Sequence, residues 1–219
     1  MCRIKIFTGH FGSGKTEVSI NYALKLAAQG KKTAIVDLDI VNPYFCTREL
    51  KKELECAGVR VIASNPELVN AELMVISSEV MAIFNDKSYE VVMDVGGDDI
   101  GAIVLGQFNR YLKAEAYEMY FVINNNRPLT SDLISTEEYM QRVEKSSRLK
   151  ISKLISNTNL SYETNVNDIL KGDRLTVLLA EKLKIPYSYT VCRRDFVNRI
   201  EGKVHGEIFP IDIYMKVDW

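Results

Sequence analysis

Short apolar runs alternate with longer stretches of helical periodicity from one end of the chain to the other. The strongest runs cover residues 3–8, 33–38, 59–63 and 90–95, and further runs cover 116–124, 150–156 and 185–191. Runs of this length are typical of strands that are buried on both faces of a parallel sheet. We therefore predict a strand at each of them, and further strand structure within residues 204–213.

Helices are predicted between these strands, at residues 14–29, 47–57, 71–84 and 107–113. Gly30 supplies the stop signal of the first helix. Strands and helices that alternate in this way predict an α/β fold, in which a mostly parallel sheet is flanked by helices on both faces. No linker or repeat divides the sequence, so residues 1–219 are expected to form a single domain.

Two local signals concern the later helices. Ser135 and Glu138 have the spacing of a capping box, and Ile134 and Tyr139 have the spacing of the hydrophobic staple that accompanies one. The Gly172–Asp173 pair is expected to separate two helical pieces.

Composition narrows the functional classes. The chain has 219 residues, is 47% hydrophobic and 26% charged, and carries a formal net charge of -1. This charge gives no electrostatic reason to expect nucleic acid or an anionic membrane as a partner. No apolar run approaches the roughly 20 residues of a membrane span, and the N-terminus lacks a secretory signal pattern. The cysteines form no C-x-x-C pair, so reduced thiols in a cytoplasmic protein are expected; they are Cys2, Cys46, Cys56 and Cys192.

Residues 9–16 read Gly-His-Phe-Gly-Ser-Gly-Lys-Thr, which fits the phosphate-binding pattern G-x-x-x-x-G-K-[ST] without a gap. Glycines let successive backbone N–H groups turn inward around phosphate oxygens, and the following helix adds its positive dipole end. Lys15 is expected to contact the β- and γ-phosphates, and the Thr16 hydroxyl to ligate Mg²⁺. The predicted binding residues here are Gly9, Phe11, Gly12, Ser13, Gly14, Lys15, Thr16 and Glu17. The alternative is a glycine-rich turn that binds no nucleotide.

Two predicted strands end in aspartates, where such a loop needs a carboxylate on its Mg²⁺ side. Asp94 and Gly97 follow an apolar run as a Walker B pattern that continues into a D-x-x-G switch. Asp94 is expected to hold Mg²⁺ and to serve catalysis, and the Gly97 N–H to sense the γ-phosphate. On the other strand, Asp37 is a second candidate for the Mg²⁺ shell, and Asp39 is expected to orient an attacking water.

Each of these aspartates has a simpler alternative, a solvated strand end or a helix N-cap. Asp98 and Asp99 are expected to cap the next helix rather than to take part in chemistry.

Together these segments resemble the MinD/ParA/CobQ/CobB group of P-loop NTPases, which belongs to the SIMIBI type. The resemblance rests on the phosphate loop, on Val-Asp-Leu-Asp at residues 36–39 and on Asp-Val-Gly-Gly at residues 94–97. Residues 9–17, 37–45 and 94–102 look most like a little-characterised bacterial ATP-binding branch of that group. The resemblance extends to about residue 190, and it implies a MgATP site.

In the group that the chain resembles, an asparagine at the end of a late strand contacts the purine. Asn157 is the matching position here, and an amide can address an adenine edge because it both donates and accepts. The alternative for Asn157 is a turn residue, and residues 124–128 are a rival base-side loop. No Asn-Lys-x-Asp guanine motif is present, which favours ATP over GTP.

The chain departs from MinD and ParA at His10. Those proteins carry a lysine there that reaches across a dimer, and a mostly neutral histidine is a poor substitute for it. This difference argues against dimer-coupled hydrolysis of the MinD type. A homodimer is expected by family analogy alone. The residues before Trp219 lack the basic amphipathic pattern of a membrane anchor.

Three functions remain open. The first is a MgATP-dependent switch with slow ATPase activity, in which Tyr44 and Phe45 meet a partner protein. The second is an enzyme like CobB or dethiobiotin synthetase that activates a carboxylate with ATP. Its acidic substrate would be bound by arginines, the candidates being Arg48, Arg110 and Arg127. The third is a nucleotide-binding module without turnover.

Overall fold

The computed structural model describes residues 2–39, 50–63, 78–97 and 99–215. In this part of the chain, the strands form one eight-stranded sheet in the order β3-β2-β4-β1-β5-β6-β7-β8. Every neighbouring pair is parallel. The strands are β1 Ile4–Thr8, β2 Thr33–Leu38, β3 Val59–Ala63, β4 Glu90–Val95, β5 Tyr117–Ile123, β6 Lys153–Ser156, β7 Tyr187–Arg193 and β8 Glu207–Ile211. The predicted α/β fold with a parallel sheet is confirmed.

The described helices lie between these strands. They are α1 Lys15–Ala28, α2 Lys51–Cys56, α3 Ser78–Asn85, α4 Asp99–Gln107, α5 Asn109–Ala114, α6 Leu133–Ser147, α7 Val166–Leu183 and α8 Val197–Ile200. Residues 47–49 and 71–77 of two predicted helices lie outside the described residues. The helix predicted at 107–113 corresponds to α5, and most of α4, which ends at Gln107, was not predicted. None of the described helices is long and apolar enough to cross a membrane.

The sheet is buried on both faces, as its apolar strands predict. On one face, Ile6, Met93 and Phe121 pack against the side of the molecule formed by α3 to α6. On the other face, Phe7 and Ile35 pack against a cluster that includes residues of α1 and α2. Because successive residues of a strand point to opposite faces, Ile6 and Phe7 pack on opposite sides of the sheet.

The predicted capping box at the start of α6 is wrong. Asp132 is the N-cap, its carboxylate accepts from the Ile134 and Ser135 N–H groups, and Ser135 completes the box from the N3 position. Ile134 is 66% exposed, so it forms no staple. An aspartate is as good an N-cap as a serine, and here it lies one turn earlier than the Ser135–Glu138 pair.

The predicted break at Gly172 is also wrong, since α7 runs without interruption through it. A Cβ at this position would lie 2.1 Å from the Thr158 hydroxyl oxygen. Gly172 is therefore explained by the close approach of α7 to the chain after β6, and not by a helix end.

The central strands end at the same edge of the sheet. β1 lies between β4 and β5, and β2 lies beyond β4. Phe7 of β1 and Asp37 of β2 are both in register with Asp94 of β4. Loops that follow the carboxyl ends of parallel strands meet at the same edge of the sheet, which is where ligands bind in this architecture.

Asp173 is a buried acceptor that ties α7 to the outer strands. Its carboxylate accepts from the Tyr187 and Thr190 hydroxyls, and from the backbone and ring nitrogens of His205. Burial alone would raise the pKa of Asp173, but the hydrogen bonds from His205, Tyr187 and Gly206 outweigh it and hold the pKa below its ordinary value.

We expect Asp173→Asn to lower the free energy of unfolding by about 1.5–3 kcal/mol at pH 7, because charge-assisted hydrogen bonds are lost. The folded-state pKa lies below the unfolded value of about 3.9. The advantage of the wild type is therefore fully present above that value and is lost as the pH falls through the folded-state pKa. Urea unfolding of both proteins at neutral and acidic pH measures this. The exposed Asp195→Asn change is the control, and equal stability of the Asp173 variant at pH 7 would contradict the expectation.

Candidate nucleotide-binding site

The loop between β1 and α1 has the shape of a phosphate cradle. Gly14, the N-cap of α1, has φ 79°, in the left-handed region that favours glycine. A Cβ there would lie 2.3 Å from the Asn157 amide nitrogen, so the loop is also packed too closely for a side chain. The Ser13 N–H closes the turn on the His10 carbonyl at 2.9 Å. Phe11, at the loop tip, is 65% exposed.

Lys15, the first residue of α1, is buried and forms an ion pair with Asp39. Its Nζ lies 2.5 Å from Asp39 Oδ2. Burial alone would lower the pKa of Lys15, but the neighbouring carboxylates of Asp94, Asp39 and Asp37 outweigh it and hold the pKa above its ordinary value. The raised pKa keeps the lysine charged, and Asp39 engages one of its three N–H donors.

Asp94 is completely buried at the end of β4. Burial raises its pKa to about 7, Lys15 opposes this, and Asp37 and Asp39 push it in the same direction as burial. Among the described residues, none completes a hydrogen bond of ordinary geometry to either Asp94 oxygen, although the Thr16 hydroxyl is near enough to lower the pKa. A buried carboxylate without full hydrogen bonding fits a residue that faces a cation or its water shell.

The aspartates, Lys15 and Thr16 are thus brought together as the sequence predicts. Asp37 and Asp94 are direct partners in the β2–β4 register, and Asp37 Oδ1 accepts from the Asp39 N–H at 3.0 Å. In the described part of the chain, no group of three or more His, Cys, Asp or Glu side chains is arranged to hold a metal ion by itself. A Mg²⁺ ion beside Thr16 would therefore depend on phosphate oxygens for part of its coordination.

Gly97 lies directly against the phosphate loop. A Cβ on Gly97 would fall 1.9 Å from the Gly9 carbonyl oxygen, so the two loops touch through backbone alone. The Gly97 carbonyl accepts from the Tyr139 hydroxyl of α6 at 2.7 Å. Contact with the γ-phosphate through its N–H stays a prediction.

His10 packs against the same tyrosine. The two rings meet edge-on with centroids 5.1 Å apart. Burial lowers the pKa of His10, and the positive charges of Arg127, Arg142 and Lys15 lower it further, against one hydrogen bond that raises it. His10 is therefore neutral at pH 7, and it does not supply the charge of the lysine found at this position in MinD and ParA.

The asparagines near the loop support its backbone. Asn157 donates to the Ser13 carbonyl at 2.8 Å, and Asn124 donates to the Gly12 carbonyl at 3.1 Å. Arg127 donates to the same Gly12 carbonyl at 3.2 Å. Asn157 thus lies at the mouth of the site, with its amide nitrogen engaged by the loop, and its contact with a purine stays a prediction.

Beside the loop lies a pocket of about 480 Å³. One end is formed by the phosphate loop, including Lys15 and Thr16, and by Arg127 and Asn157. The other end is largely apolar. Its residues come from the start of α7, from β7 and the turn that follows it, and from β8 and the chain after it: Ile169, Val191, Phe196, Ile211, Ile213 and Met215. Sequence analysis missed this end because its residues are scattered and carry no motif. The one hint was the apolar alternation within residues 204–213.

Three outcomes remain for the other predicted residues: outside the pocket, in the pocket with other partners, or outside the described residues. Arg110 is exposed on α5 and does not line the pocket. Glu17 lines it, but its carboxylate accepts from backbone N–H groups of Tyr214 and Met215 rather than facing the loop. Asp98, Tyr44, Phe45, Cys46 and Arg48 lie outside the described residues.

No protein-family model matches the chain, and no curated protein matches it. Among solved structures, it is similar to chloroplast FtsY from Physcomitrella patens, with 12% identity over 84% of this chain and 57% of that chain, and a TM-score of 0.56. It is also similar to FtsY from Thermotoga maritima, with 19% identity over 84% of this chain and 60% of that chain, and a TM-score of 0.54. A nucleotide-binding protein from Archaeoglobus fulgidus, solved with ADP, matches with 15% identity over 89% of this chain and 84% of that chain, at a TM-score of 0.51.

At these identities the likeness concerns the fold. The chain shares with these FtsY and nucleotide-binding protein structures a parallel sheet flanked by helices. The chain spans less than two thirds of the length of the FtsY structures that it matches.

We expect Gly97→Ala to push the phosphate loop out of shape, since the added methyl group meets the Gly9 carbonyl. Overpacking of this kind costs about 1–3 kcal/mol, and MgATP affinity should fall at least about tenfold. Gly30→Ala is the control for a glycine change outside the site, because a methyl group on Gly30 would meet open space. Calorimetric titration of both variants measures the difference, and unchanged affinity in the Gly97 variant would show that the two loops do not depend on each other.

Proposed function

We propose that this chain binds MgATP and hydrolyses it slowly, as a nucleotide-dependent switch of the MinD/ParA/CobQ/CobB group. The observation that supports this most is the position of Asp94. Its buried carboxylate lies within the influence of Lys15 and Thr16 and lacks full hydrogen bonding among the described residues. A triphosphate with its cation would supply the positive charge and the oxygen ligands that this arrangement needs.

The residues then divide the work. Lys15 leaves Asp39, or is shared with it, to reach the β- and γ-phosphates, while Thr16 and the Asp37–Asp94 pair hold the cation side. Mg²⁺, when bound, would neutralise charge that develops on the phosphate oxygens. Asp39 is then free to accept a hydrogen bond from the water whose oxygen attacks the γ-phosphorus, as the bond to the β–γ bridging oxygen breaks.

ATP is favoured over GTP by the sequence resemblance and by the absence of a guanine motif in the sequence. The similar structures include both an FtsY solved with GDP and the Archaeoglobus fulgidus protein solved with ADP. Asn157 is the residue proposed to address the purine, through the part of its amide that does not bond Ser13. Titration with MgATP, MgADP and MgGTP decides between the nucleotides.

Two other functions keep some support. Arg127 lines the pocket beside Gly12 and would suit an acidic substrate, as a carboxylate-activating enzyme requires. Neutral His10 favours a module without turnover, since it lacks the charge of the MinD and ParA lysine. Phosphate release that rises sharply only with a carboxylate metabolite supports the first, and nucleotide binding without any phosphate release supports the second.

A cytoplasmic location, a partner protein and a homodimer belong to the switch proposal and are tested by fractionation and light scattering.

We expect Lys15→Ala to weaken MgATP binding about tenfold to a hundredfold, the effect of losing one or two charge-assisted hydrogen bonds. Phosphate release should fall to background. Lys113→Ala on α5 is the control for loss of a surface lysine. Calorimetry and a phosphate-release assay measure both effects. If the wild type binds no magnesium nucleotide at all, the proposed function is wrong.

Asp39→Asn separates binding from catalysis. The neutral amide no longer holds Lys15 as an ion pair and no longer repels the γ-phosphate, so MgATP affinity should rise by up to about tenfold. Phosphate release should slow by about a hundredfold, because the oriented water loses its acceptor. Single-turnover kinetics with the exposed Asp86→Asn as control measure this. Hydrolysis at the wild-type rate would rule out the role of Asp39 with the water.

A further inference from the structure

Glu17, the residue directly after Thr16, binds a distant part of the chain. Its carboxylate accepts from the Tyr214 N–H, at 3.1 Å to either oxygen, and from the Met215 N–H at 2.6 Å. One turn further along α1, Asn21 donates to the Asp212 carbonyl and accepts from the Asp212 N–H, both at 2.9 Å. Side chains of α1 thus give residues 212–215 the hydrogen bonds that a neighbouring strand would otherwise give.

The same stretch of chain forms one wall of the pocket. Ile211, Ile213 and Met215 line it, while Asp212 pairs with Arg194. Every second residue therefore contributes an apolar side chain to the pocket. The hydrogen bonds from Glu17 and Asn21 act on backbone groups, so they hold this wall in place whatever its side chains are.

Further apolar side chains complete an apolar slot in this pocket. They belong to Ile169 of α7, to Val191 of β7, the strand next to β8, and to Phe196. Ile169 and Phe196 also pack together in a small buried cluster. The slot opens at its other end onto the phosphate loop. A ligand with anionic groups against the phosphate loop and a largely apolar group in the slot would fit this pocket, and a nucleoside polyphosphate has that chemistry.

We propose that Glu17 and Asn21 hold residues 212–215 as the wall against which the nucleotide base packs, which makes Glu17 a positioning residue for the base and not for the phosphates. This inference rests on the proposed function. It explains how the site would discriminate between a nucleotide and a polyphosphate that has no base. Base binding and the order of residues 212–215 are then linked, so each stabilises the other.

The test compares MgADP with magnesium tripolyphosphate, which lacks a base. In the wild type, both ligands should bind. Glu17→Gln keeps the size of the side chain but loses its charge and one acceptor oxygen, so MgADP should bind about tenfold more weakly. Tripolyphosphate affinity should stay within about twofold. Glu55→Gln, on exposed α2, is the matched control and should change neither affinity.

Hydrogen exchange gives a second readout that needs no variant. MgADP should slow exchange at the Tyr214 and Met215 amides of the wild type, and tripolyphosphate should not. If Glu17→Gln fails to fold, Met215→Ala replaces it, with the same expected loss for MgADP alone.

Several results would overturn the proposal. If Glu17→Gln lowers the affinity for both ligands equally, Glu17 acts on the phosphate loop and not on the base. If MgADP affinity and amide exchange both stay unchanged, residues 212–215 do not form the wall. A wild type that binds tripolyphosphate but not MgADP would also overturn it. By contrast, a wild type that binds neither ligand would refute the proposed function itself, which keeps the two failures distinct.

Discussion

Buried charge at the ends of the central strands is the constraint on which the rest of this structure depends. Within the described residues, the three carboxylates of Asp37, Asp39 and Asp94 outnumber the one buried ammonium group beside them, that of Lys15. Carboxylates that are buried together raise one another's pKa and are costly to ionise. Protons or cations lower the electrostatic free energy of such a cluster. Burial raises the pKa of Asp94, which favours its protonated form, and a magnesium-bound phosphate would supply a cation.

The parallel sheet explains how this charge is gathered. Residues far apart in sequence meet because β1, β2 and β4 are neighbours that end at the same edge. Helix α1 then joins the two ends of the pocket. Lys15 and Thr16 serve the phosphate loop, while Glu17 and Asn21, on the same helix, hold the chain that follows β8. Helix α1 therefore contributes side chains to the phosphate end of the candidate site and also holds the chain that lines its apolar end.

The parts of this arrangement that sequence analysis predicted are local or strongly patterned. β2, β3 and β4 were predicted to the residue, because buried strands are apolar on both faces. The phosphate loop was found because its spacing is contiguous. The predicted N-cap of α6 was wrong because aspartate and serine are almost equally good N-caps, and Asp132 takes the position that was assigned to Ser135. Gly172 was misread because its reason is contact with Thr158, which is distant in sequence.

The apolar end of the pocket was missed for the same physical reason. Ile169, Val191 and Ile213 are ordinary core residues when read in sequence, and only the fold turns them towards a common space. Glu17 was predicted as a ligand contact because it follows the loop. Its observed partners are backbone groups almost two hundred residues away, a kind of contact that leaves no pattern in composition or spacing.

Tyr139 connects helix α6 to two loops at once. Its hydroxyl holds the Gly97 carbonyl, and its ring lies against His10 of the phosphate loop. Helix α6 therefore contacts both loops through one side chain. Any displacement of α6 would act on the phosphate loop and on the chain after β4 together, because Tyr139 is bonded to one and packed against the other.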